Sequence, residues 1–82
     1  MKKLELTKIE KNIIEESLIS FKFKSNSPRE ICENLISLVR TQSNGINLTT
    51  LERNVIVESL NIFFSITKEI EVKKLSSKVN NQ

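Results

Sequence analysis

Three times along its 82 residues the chain carries the same short signal for starting a helix. Thr7-Lys8-Ile9-Glu10, Ser27-Pro28-Arg29-Glu30 and Thr49-Thr50-Leu51-Glu52 each place Ser or Thr three residues ahead of Glu. In such a capping box the hydroxyl accepts from a first-turn N–H, and the carboxylate accepts from the backbone N–H of the cap residue. Each box heads a segment whose apolar residues recur at helical spacing. Pro28 suits the first helical position, where its missing N–H costs nothing. Gly45, the one glycine, stands before the third box, where a left-handed C-cap would use it. No segment alternates with period two for long, so strands are not expected. These features predict an all-α fold: a three-helix bundle with helices over about 8–24, 28–43 and 49–66. The third helix is either long, extending towards 79, or followed by a short fourth. The whole chain, 1–82, reads as one helical domain with 80–82 frayed.

Leu6 to Phe21 aligns without gaps on Leu48 to Phe63, and nine of the 16 positions are identical. Shared caps and apolar stripes explain many of the matches. They do not explain Asn12/Asn54 or Ser17/Ser59, so the 6–21/48–63 pair is read as an internal repeat with matched packing roles. The small Ser17/Ser59 side chains lie near the stripe centre, where they would let two helices approach closely. Asn12/Asn54 and Glu16/Glu58 sit at its shoulder, either solvated or forming a buried polar network.

The repeat also differs between its two copies. Glu15, Ser20, Lys22 and Lys24 become Val57, Ile62, Phe64 and Ile66. The third helix is therefore apolar nearly all round and needs cover on several sides. It is either central in the fold or buried against a second copy, and the second option is favoured because a core of this size supplies only a few kcal/mol. Farther on, Val72, Leu75 and Val79 share a face rotated away from the main stripe. Val57, Phe64, Val72, Leu75 and Val79 are thus the candidate partner or oligomer surface.

Composition removes much chemistry. There is no His and no Asp, and there is a single Cys. A nucleophile–histidine pair is excluded, the usual zinc and calcium ligand sets are missing, and one glycine does not make a phosphate-cradling loop. Cys32 falls inside the second apolar stripe and reads as core. No enzymatic activity, cofactor or metal is expected. No run of about 18 apolar residues is present to cross a membrane. Met1-Lys2-Lys3 leads into Leu4-Glu5-Leu6-Thr7 rather than an apolar signal region, so a cytoplasmic protein is expected.

The leading functional expectation is a small non-catalytic regulatory module. It would self-associate, a homodimer being favoured among oligomers, and bind another macromolecule, a protein first of all. DNA or RNA binding is the main alternative, with helices two and three as a helix-turn-helix and Thr49, Thr50, Arg53 and Asn54 at the groove. The mild net charge of +3 and the apolar character of that helix weigh against it. A second alternative is a small anionic ligand clamped by Lys and Arg between subunits.

Overall fold

A computed structural model describes residues 4–24, 28–42 and 45–81. They form four helices, α1 (Lys8–Lys22), α2 (Arg29–Thr41), α3 (Thr50–Thr67) and α4 (Ile70–Asn80), and the fold is all-α. Among the described residues the only extended pairing is an isolated antiparallel bridge between Leu4 and Ile46.

The two Thr boxes form as the sequence predicts. Thr7 Oγ1 accepts from Glu10 N at 3.1 Å, and Glu10 Oε1 accepts from Thr7 N at 2.8 Å. Thr49 and Glu52 repeat this at 3.1 and 2.9 Å. The middle box differs. Pro28 occupies the N-cap of α2 rather than its first turn, its carbonyl accepting from Cys32 N at 2.9 Å, and Ser27 lies outside the described residues.

The expected glycine cap is also displaced. α2 ends on Gln42 in an extended conformation, and Gly45 does not take a positive φ. The left-handed residue is instead Lys68, at φ 59 and ψ 23, whose N–H reaches Phe64 O at 2.7 Å. That residue ends α3 and turns the chain back, so 70–80 forms a separate fourth helix packed along α3. α4 continues through Asn80, one residue into the tail read as frayed.

α1 packs against α2, α3 packs against α4, and the two hairpins meet through α1 and α3. At their meeting point the Ser17 and Ser59 hydroxyl oxygens lie 3.5 Å apart, both residues buried. Each donates to its own helix, Ser17 to Ile14 O and Ser59 to Ile56 O, both at 2.8 Å. Their small side chains leave room for close approach of the two backbones, as the stripe position predicts. Leu4 and Ile46 exchange both backbone hydrogen bonds at 2.8 Å. These two residues are separated by the same 42 positions as Ser17 and Ser59. The repeat is thus a pseudo-two-fold, with an axis running through both self-paired contacts.

The outer helices obey it too. α2 buries Cys32, Leu35, Ile36 and Val39, and α4 buries Val72, Leu75, Ser76 and Val79, in step throughout. Cys32 is core, as expected, and burial pushes its thiol pKa up, against a weaker opposing pull from Lys22. Leu4, Ile14, Leu18, Leu35, Ile56, Leu60 and Leu75 fill the centre between the hairpins. At about 25 cal/mol per Å² of apolar surface removed from water, such side chains supply most of the driving force for folding.

Candidate docking face on helix three

The apolar circumference of α3 is covered mostly from within the chain. Val55, Ile56, Ser59 and Leu60 are buried, with α1 and α4 packed on this helix and α2 touching it slightly. Of the two options open for α3, the fold takes the central one. Val72, Leu75 and Val79 are at most 2 % exposed. They seal α4 onto the core, so three of the five residues expected on a partner surface are not at the surface. Periodicity marks a face that must be covered without saying which molecule covers it.

The other two candidates stay accessible. Phe64 is half-buried beneath Lys73, whose Nζ sits 5.9 Å from the ring centroid, within reach of a cation–π contact. Val57 walls a shallow groove of about 380 Å³ along the outside of α3. Asn54, Glu58, Asn61 and Ser65 form its exposed middle, and Ile62 lies on the other flank. Ser76 Oγ, on α4, donates to Asn61 Oδ1 at 2.8 Å. With its carbonyl engaged there, Asn61 presents its amide N–H groups as the free donors of the side chain. Ile66, one turn beyond Ile62, is 63 % exposed and continues the apolar edge. Asn12, Asn54, Glu16 and Glu58 are all exposed, so the buried network considered for them is not formed. Ile62 belongs to the groove although it was not among the candidates; its signal was the Ser20-to-Ile62 exchange within the repeat.

The four nucleic-acid candidates stand together at the start of α3. The Thr49 hydroxyl caps the helix, Thr50 is exposed, Arg53 is half-buried, and Asn54 lines the shallow groove. α2 and α3 touch only slightly, whereas a helix-turn-helix packs its two helices against each other. A second depression of about 300 Å³ at the α1–α2 ends holds Lys22 and Arg40 but also Glu33. The Arg40 guanidinium there is already paired with Glu15. Among the described residues no group of three or more His, Cys, Asp or Glu could hold a metal ion. Among the described residues no helix is long and apolar enough to cross a membrane.

No protein family model, curated protein or solved structure matches the chain. The pseudo-two-fold therefore supplies the comparison, with α1 as the internal reference for α3. Glu15 and Val57 are both half-buried; so are Ser20 and Ile62, and so are Lys22 and Phe64. Lys24 and Ile66 are both exposed. At these four pairs the first copy is polar and α3 is apolar, whereas Ile19/Asn61 and Phe23/Ser65 are exchanged the other way.

Proposed function

We propose that this protein is a non-catalytic interaction module that docks on a protein partner through the outer face of α3. The observation that carries this reading is the polar-to-apolar exchange at matched exposure. Val57 and Ile62 pack against the core yet stay partly exposed, and Ile66 is exposed, where the first copy of the repeat has Glu15, Ser20 and Lys24. Apolar side chains kept at accessible positions, rimmed by polar groups, are characteristic of a binding surface. The module is further read as cytosolic, in keeping with its one free, buried cysteine. A regulatory role follows from size: with no catalytic constellation, binding is what such a chain has to offer.

The test replaces Ile62 with a photo-crosslinking phenylalanine analogue in living cells and uses Ser20, its pseudo-symmetric counterpart, as the control. An adduct formed at 62 and absent at 20 supports the reading. Equal labelling at both positions, or none at either, overturns it.

A further inference from the structure

α4 is tethered to the rest of the fold by a reversal of two residues, Lys68 and Glu69. In sequence the other two reversals carry Pro28 and Gly45, whereas this one has neither proline nor glycine. Lys68 stands at φ 59, a left-handed conformation disfavoured for a residue with a Cβ. Glu69 gives α4 no side-chain cap. Both residue types are good helix formers. A continuous helix from Thr50 to Asn80 relieves the strain and pairs the open carbonyls ending α3 with the open amides starting α4. Short hinges under strain favour exchange of the element they tether. We infer that two copies of this chain exchange α4, each running α3 straight into α4 and seating α4 on the core of the other.

The exchange keeps the contacts of α4. Val72, Leu75 and Val79 return to the same buried seat in the other copy. Ser76 Oγ donates to Asn61 Oδ1 at 2.8 Å, and Lys73 Nζ stands 5.9 Å from the Phe64 ring centroid. Both pairs are spaced evenly about the step from Lys68 to Glu69, so that step becomes the two-fold axis. Lys68 of one copy then comes beside Glu69 of the other, and the symmetry makes this contact between opposite charges twice. At about 100° per residue, Val57, Asn61, Phe64, Val72, Leu75 and Val79 fall within an arc of about 80° on the continuous helix. One long helix thus presents a single side to its antiparallel counterpart. That side holds all five residues expected from the sequence as a partner surface. The first hairpin lacks the device, because Pro28 would break a helix running from α1 into α2.

The test refolds the full chain from urea at high and at low protein concentration. The concentrated sample should yield a species of twice 9.5 kDa that persists on dilution, because release requires α4 to leave its seat. Carbodiimide coupling reads the connectivity, since Lys78 Nζ lies 2.9 Å from the Glu10 carboxylate and condenses with it to an amide. In a dimer refolded from equal parts of isotope-labelled and unlabelled chain, linked Glu10–Lys78 peptides should include mixed-label pairs. A link made within one chain carries one label only. Lys68→Gly, which accepts the left-handed turn, should lower the association constant by about tenfold or more, and Lys68→Ala should raise it. Refolding that never gives a dimer overturns the inference, as does a dimer without mixed-label links or one indifferent to Lys68→Gly. The adduct at position 62 tests the docking reading separately.

Discussion

Lys78, in the last turn of α4, reaches back along the chain to the Glu10 carboxylate, with Nζ–O distances of 2.9 and 3.2 Å. The same carboxylate closes the capping box at the start of α1. One side chain therefore anchors a helix and ties the two hairpins together.

Burial opposes ionisation of Glu10, but the Thr7 backbone N–H and Lys78 outweigh it and hold its pKa below the usual 4.5. A depressed carboxylate pKa gives stability that is present above 4.5 and is lost as pH falls through the folded-state value. Glu10→Gln keeps a capping acceptor and removes only the charge. The variant should melt below the parent at neutral pH, and the gap should close in acid. A gap that is independent of pH would contradict this assignment.

The pseudo-two-fold makes the two caps equivalent. Thr7→Ala and Thr49→Ala should each cost about 1 kcal/mol in urea unfolding, with similar values for both. A large disparity would show that one cap is redundant in the folded chain.

Burial of Leu75 and partial exposure of Val57 make a contrasting pair. Leu75→Ala should destabilise by about 2–5 kcal/mol, and Leu75→Glu should abolish cooperative unfolding. Val57→Glu restores the residue type found at position 15 of α1, and its thermal midpoint should stay close to that of the parent.

Lys68 holds a left-handed conformation that costs a residue with a Cβ about 1 kcal/mol. Lys68→Gly should raise stability by up to about that amount, provided the added chain entropy of glycine does not consume it. Lys68→Val, with a branched Cβ, should lower it. Paired denaturant titrations decide both.

These sites show where the sequence was readable. α1 and α3 were legible because their caps, stripes and wet faces agree. The reversal at Lys68 was not, since lysine carries no preference for the left-handed region and no glycine or proline stands nearby. Its only trace was the phase of Val72, Leu75 and Val79, turned away from the stripe of α3. That phase fitted a partner as well as a folded-back helix, and long-range packing decided between them. The candidate face on α3 was half visible: Val57 and Phe64 were singled out, whereas Asn61 became informative only once Ser76 was seen to hold its side-chain oxygen.

The pairing of Glu15 also makes the two halves of the fold unlike at their surfaces. A pseudo-symmetric chain with two adhesive sides could join head to tail without end, each molecule offering its neighbour a fresh surface. Here the Glu15–Arg40 pair occupies the position that Val57 fills on α3. The two halves therefore share caps and a core pattern but do not present the same surface.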